Sequence, residues 1–306
     1  MLHIRIASPP DLTGRLVETL ITDPGVVNLV VLAGAARRPD GDAVQFDVQT
    51  GSANVVFRRL RDLHLDGRGS ILVQTVDAVI TGPVRGPLRR RPHHGEVVPV
   101  WEMVEARIRA GGVYPPSFYA LLIIAGLIAC VGILTNSQIL VVGAMVVGPE
   151  YSAIIAVALG IDQRRLLPVR RGLSALLGGF TAAVAAAVLF GVAIRWSGHT
   201  PKAFLLGVRP VAQLIDEPNL FSVIVAVLAG IVGVVSLTQA RANALIGVFI
   251  SVTTIPAAAA LGLAAAYEDW PRVHGSLFQL LLNVGLLILV GAAALRVQRL
   301  IWRPRA

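Results

Sequence analysis

Six long stretches of this 306-residue chain contain no basic residue: 118–134, 139–161, 172–194, 220–237, 244–267 and 277–295. Their lengths of 17, 23, 23, 18, 24 and 19 residues match the roughly 17–25 residues that a helix needs to cross a bilayer. Backbone in hydrocarbon must satisfy its own N–H and C=O groups, and stretches of this length do so as α-helices packed on one another. The sequence therefore predicts an α-helical integral membrane bundle of six spans over residues 117–306. Composition agrees, because only 15% of residues are charged against about 25% in soluble domains, which argues against a soluble enzyme.

The basic residues orient that bundle. The chain carries 27 Lys and Arg against 18 Asp and Glu, a net charge of +9, which on a soluble protein would suggest nucleic acid. Here residues 117–306 hold 13 of the basic groups and 6 of the acidic ones, so the excess lies in loops between apolar segments. With the N-terminus in the cytoplasm, fifteen arginines near the spans (85, 89–91, 107, 109, 164, 165, 170, 171, 241, 296, 299, 303 and 305) share that side. Arg195, Lys202, Arg209 and Arg272 occupy the other. This satisfies the positive-inside rule, and an even number of spans returns the C-terminus to the cytoplasm. The expected location is the inner or plasma membrane, with the lipid bilayer as partner and no nucleic acid. Residues 1–25 mix Arg5, Asp11, Arg15, Glu18 and Asp23 and lack the apolar core of a signal peptide. The single cysteine, Cys130, permits no intrachain disulfide.

Residues 1–80 read as a small α+β domain. Leu2, Ile4 and Ile6 alternate with polar residues as a strand does, and Leu12, Leu16, Val17 and Leu20 follow at helical spacing. The run Val26 to Leu32 reads as a buried central strand, and Pro39-Asp40-Gly41 turns the chain into Val44, Phe46 and Val48. Ser52 is positioned to cap a helix with Val56, Leu60 and Leu63 inward, and residues 71–79 make the last strand. The order β-α-β-β-α-β predicts a ferredoxin-like fold. Residues 81–116 form a basic linker rich in glycine and proline. It holds Arg89-Arg90-Arg91 and His93-His94, read as solvated rather than metal-binding, and ends in an amphipathic interfacial helix with Trp101, Val104 and Ile108 on one face.

Inside the six spans stands one carboxylate, Glu150, directly after Gly148 and Pro149 in the second. An ionisable side chain in hydrocarbon is costly and faces a bundle interior or a water-filled cavity. Pro149 has no N–H and disfavours helix at Gly148, which breaks the span beside the acid. The fifth span echoes the second: Gly143 to Pro149 has a counterpart in Gly247 to Pro256. Polar residues precede both, Asn136 and Ser137 in one case and Ser236 to Arg241 in the other. If spans one to three repeat as four to six, the odd number inverts the second copy and places two broken helices face to face, as in secondary transporters. The candidate substrate or ion pathway is Asn136, Ser137, Gly148, Pro149, Glu150, Ser251, Thr253, Thr254 and Pro256.

The block Asn136-Ser137 followed by Leu140-Val141-Val142-Gly143-Ala144-Met145-Val146-Val147-Gly148-Pro149, with the later Gly247-Val248 to Ile255-Pro256 segment, resembles the membrane region of the domain of unknown function (DUF) 389 family over residues 117–270. That resemblance implies a bacterial multi-span protein without an agreed activity. In that family the position of Glu150 is often apolar, so the acid marks a subgroup.

Two functions fit these features. The first is a transporter or channel-like permease for a small solute or ion, with a cytoplasmic regulatory domain. The alternative is a membrane sensor whose N-terminal domain binds a small anionic ligand such as a nucleotide or cyclic dinucleotide, with Arg37, Arg38, Arg58 and, at the membrane, Arg241 as anion contacts. No zinc motif, acid pair in separate spans or Ser/His arrangement within the bilayer supports an intramembrane enzyme. No cofactor or metal is expected, and glycine-rich helices together with a small α+β domain favour a homo-oligomer.

Overall fold

The computed structural model describes residues 1–63, 65, 68–76, 101–207, 220–238 and 254–301. The chain divides into two compact units, residues 1–104 and residues 105–301.

The first unit contains β1 (Leu2–Ser8), α1 (Pro10–Ile21), β2 (Val26–Arg37), β3 (Asp40–Val48), α2 (Thr50–Asp62) and β4 (Ser70–Thr75). The four strands form one antiparallel sheet in the order β2-β3-β1-β4, the split arrangement that the element order predicts. Alternation sorts the two faces. Leu2, Ile4, Ile6, Val44, Phe46 and Val48 turn to the helices and meet Leu16, Leu20, Val56 and Leu60 in one core. His3 and Asp47, joined at 2.7 Å, occupy the opposite face.

Two readings of this unit change. The run Val26 to Leu32 is an edge strand and not a central one, with Val30, Val31 and Leu32 exposed. A continuous apolar run is the mark of a strand covered on both faces, but here Val26 and Leu29 pack against the core while Val30, Val31 and Leu32 are exposed at the sheet edge. The cap of α2 is Gln49, without a side-chain hydrogen bond, and not Ser52.

The second unit is all helical. α3 (Trp101–Ala110) spans the division between units, with Val104 and Ile108 buried. It is followed by α4 (Pro116–Leu134), α5 (Gln138–Val147), α6 (Glu150–Asp162), α7 (Leu166–Trp196), the single turn α8 (Lys202–Leu205), α9 (Leu220–Thr238), α10 (Thr254–Ala266) and α11 (Trp270–Ile301). Among the described residues four of these, α4, α7, α9 and α11, are long and apolar enough to cross a membrane, and the pair α5 and α6, bent by 52° at Gly148-Pro149, is a broken span or a re-entrant loop that brings the number to five if counted as one span. Of the six expected segments the fifth is described only from Thr254, where α10 is a short apolar helix of 13 residues. Residues 244–253 lie outside the described residues.

Exposure separates two kinds of helix. The long helices turn large apolar side chains outward, among them Leu177, Leu189, Leu228, Leu281 and Leu289, an arrangement suited to lipid. The short helices α6 and α10 are buried on nearly every side and form the centre of the bundle, as expected for helices apolar all round.

Candidate functional site

The helices of the second unit recur at a constant spacing. α4 and α9 have 19 residues each, α6 and α10 have 13 each, and α7 and α11 have 31 and 32. Each later helix begins 104 positions after its earlier counterpart. The ends of α6 and α10 share a backbone solution too. Arg164 and Glu268 take left-handed conformations with φ of 54° and 61°. Arg165 N–H bonds Gly160 O, and Asp269 N–H bonds Ala264 O, at 2.8 and 2.9 Å. Both are Schellman ends, which satisfy orphan carbonyls of the last turn.

Contacts between the halves are reciprocal. A Cβ at Gly262 of α10 would be driven into Ala187 of α7, and a Cβ at Gly291 of α11 would meet Ala158 of α6. Exchanging each residue for its counterpart converts one contact into the other. A second pair obeys the same exchange: Arg195 donates to the carbonyl of Ala266 at 3.0 Å, while Arg299 lies 3.0 Å from the carboxylate of Asp162. Each arginine thus holds the end of the short helix belonging to the other half. Arg195 also pairs with Glu268 at 2.9 Å, and Arg299 with Glu105 at 3.2 Å.

The directions of the short helices follow from α7. Gly172, near its start, packs on Ala153 and Val157 of α6, which turns back into α7 and so runs against it. Near its end, Gly191 packs on Leu263 and Ala266 of α10, and residues 184–188 pack on Gly262, so α10 runs with it. The two 13-residue helices, about 20 Å each at 1.5 Å per residue, therefore point away from each other along a helix of about 46 Å. Their N-termini meet at its middle.

At that junction stands Glu150. It is 6% exposed, opens the first turn of α6, and its Oε1 accepts a hydrogen bond from the hydroxyl of Thr254, first residue of α10, at 2.8 Å. Oε2 is buried without a hydrogen-bond partner among the described residues. Gly148 is extended, with φ −70° and ψ 133°, and a Cβ there would collide with Ile255 and with the Glu150 carboxyl. Glycine is therefore needed for close approach of the break to α10. Tyr151 reaches the other way, its hydroxyl lying over Gly233 of α9. A carboxylate at a helix N-terminus is favourably placed, since unsatisfied N–H groups leave roughly half a positive charge there.

Of the predicted pathway residues, Gly148, Pro149, Glu150, Thr254 and Pro256 belong to this junction or to the first turns of the helices that meet in it. Asn136 and Ser137 form the turn between α4 and α5. Asn136 has φ 56°, and Ser137 Oγ accepts from Leu140 N–H as the cap of α5. Ser251, Thr253 and Arg241 lie outside the described residues, as do His93 and His94. Arg37 and Arg38 stand at the end of the β2–β3 hairpin and Arg58 on the exposed side of α2, on separate elements.

Sequence reading took Arg195 and Arg299 as topology markers only, although their spacing of 104 is visible in the chain. It also passed over Gln279 and Asn283, a buried pair on α11 joined at 3.3 Å. Their i, i+4 spacing inside an apolar segment is the signal that would have found them.

No curated protein and no solved structure matches the chain. A family model does match, the one described as Domain of unknown function (DUF389), over residues 145–289. That range runs from the break before Glu150 through the junction with Thr254 to the middle of α11, so the stretch that is similar to the DUF389 family holds the junction.

Proposed function

We propose that the protein is a membrane transporter or channel-like permease that moves a small solute or ion past Glu150, with the N-terminal domain as a cytoplasmic regulatory module. The observation that carries this reading is the Glu150–Thr254 hydrogen bond where two half-length helices meet by their N-termini. Paired broken helices meeting near the bilayer midplane recur in secondary transporters, where helix ends and freed backbone groups form the binding site. Oε2 of Glu150, without a hydrogen-bond partner among the described residues, is available to a proton or ligand, and Thr254 holds the other oxygen in place.

On this reading residues 116–207 and 220–301 are inverted repeats of three spans each, with both termini cytoplasmic. Reciprocal contacts support the repeat, and opposed helix directions support its inversion. Charge agrees: the Schellman end of α6 carries Arg164 and Arg165, and the same turn after α10 carries Glu268 and Asp269, the sorting that the positive-inside rule gives to turns on opposite sides. The two arginine grips, Arg299 on Asp162 and Arg195 on the end of α10, then close opposite ends of the pathway.

Two experiments test this. In a chain with Cys130→Ser, the variants Arg164→Cys and Glu268→Cys are labelled from opposite sides of the membrane; labelling from one side overturns the inversion. Full-length protein in liposomes, challenged with a panel of small ions and neutral solutes, accelerates the flux of at least one, and Glu150→Gln removes that acceleration. Flux no faster than in protein-free liposomes across the panel overturns transport.

A further inference from the structure

Away from Glu150, at the opposite end of α6, a cavity of about 540 Å³ opens between residues 108–114, the end of α6 and the start of α7. Its size falls in the ~300–1,000 Å³ range of ligand pockets. The polar side chains lining it are Arg109, Tyr114, Gln163, Arg165 and Arg171, with no acid among them. Arg109 shares the Glu105 carboxylate with Arg299, at 2.9 and 3.2 Å. Arg165 and Arg171 have no ion pair among the described residues. The Tyr114 hydroxyl lies over Gly172, beside Arg171, and is buried without a hydrogen-bond partner among the described residues. Burial pushes the titration of that hydroxyl up, so it stays a donor throughout the physiological range.

We propose that this cavity binds a phosphate-bearing anion through Arg109, Arg165, Arg171 and the Tyr114 hydroxyl. Guanidinium groups match phosphate oxygens with paired N–H donors, and a concave site with unneutralised arginines and an unused hydroxyl is built for an acceptor-only group. The rest of the lining points to a lipid as the source. Ile108, Leu159 and Leu167 supply an apolar wall, and Leu166 and Leu167 are exposed at the start of a membrane-length helix. An anionic phospholipid would seat its headgroup among the arginines and lay its chains against these side chains.

The test uses full-length protein in detergent, with lipid retention followed by native mass spectrometry and stability by thermal unfolding. Phosphatidylglycerol is compared with phosphatidylcholine, inorganic phosphate and glycerol 3-phosphate. Phosphatidylglycerol is retained and raises Tm by several degrees, phosphatidylcholine does not, and retention falls at least tenfold in the Arg165→Gln, Arg171→Gln double variant. Each single variant and Tyr114→Phe give intermediate losses, which keeps the test decisive if the double variant folds poorly. An equal shift with inorganic phosphate or glycerol 3-phosphate identifies a soluble phosphate compound as the ligand of the same site. Equal behaviour of anionic and zwitterionic lipid with no response to either soluble anion, or variants that bind as the parent does, overturns the proposal. No flux is measured, so this result stands apart from the transport reading.

Discussion

Residues 116–196 and residues 220–301 each build a 19-residue helix, a 13-residue helix and a helix of 31 or 32 residues, yet they differ in what their turns and breaks carry. The first opens its short helix with Glu150 and the second with Thr254. The first closes it with Arg164-Arg165 and the second with Glu268-Asp269, on the same left-handed turn. Arg195 and Arg299 occupy equivalent positions, but Arg299 holds two carboxylates and Arg195 one carboxylate and a carbonyl. Helix lengths recur and the chemistry is unevenly distributed over them. Two helix ends come to one point, and the side chain of Glu150 makes that point acidic.

Substitutions made in matched pairs test this comparison. The largest difference is expected at the junction. On the proposed transport reading, Glu150→Gln lowers solute flux in liposomes by at least a hundredfold, while Thr254→Val, which removes only the hydroxyl that holds Oε1, lowers it about tenfold; equal losses would make the two halves chemically equivalent. Next come the arginine grips. Arg299→Ala leaves the Asp162 side chain, 4% exposed, without its counter-charge at a cost of about 3 kcal/mol. Arg195→Ala removes a pair whose members are largely exposed and costs about 1 kcal/mol or less; unfolding in mixed micelles measures both.

Smaller effects separate the two close approaches. Gly262→Ala forces a methyl between Ala187, Val184 O and Val188 N and destabilises by about 1–3 kcal/mol. Gly291→Ala meets Ala158 at 3.3 Å and changes stability by less than about 1 kcal/mol, read from the thermal midpoint in detergent. The smallest effects lie in the turns, where Arg164→Gly relieves a left-handed backbone and stabilises by about 1 kcal/mol. Glu268→Gly gains less in the same assay because it also gives up the pair with Arg195.

What could be read from the chain depended on how local its cause was. Strand alternation in Leu2, Ile4 and Ile6 depends on neighbouring residues, and the β-α-β-β-α-β order gave the correct sheet. Pro149 stands in the interior of an apolar run, where a proline breaks a helix, so the bend before Glu150 was legible. Val30, Val31 and Leu32 misled because which strand lies at the edge is decided by how distant strands pair. The spacing of 104 is carried by helix lengths and turn geometry and hardly by residue identity: Glu150 answers to Thr254 and Arg164 to Glu268. A search for similar letters finds only scattered matches, among them Ala125-Gly126 opposite Ala229-Gly230, Gly143 opposite Gly247 and Arg195 opposite Arg299. The contact of Glu150 with Thr254 needs two helices to be placed head to head, which no local pattern encodes.

Reciprocity between Ala187–Gly262 and Gly291–Ala158 has a consequence for descent. A surface on each half fits the corresponding surface of the other half, so on the proposed reading a half-length ancestor inserted in both orientations would have assembled with itself into this bundle. Fusion of two such copies would then have fixed one orientation for each. On that reading the two ends of the short helices would then have been free to diverge, as the arginines at one and the acids at the other now do.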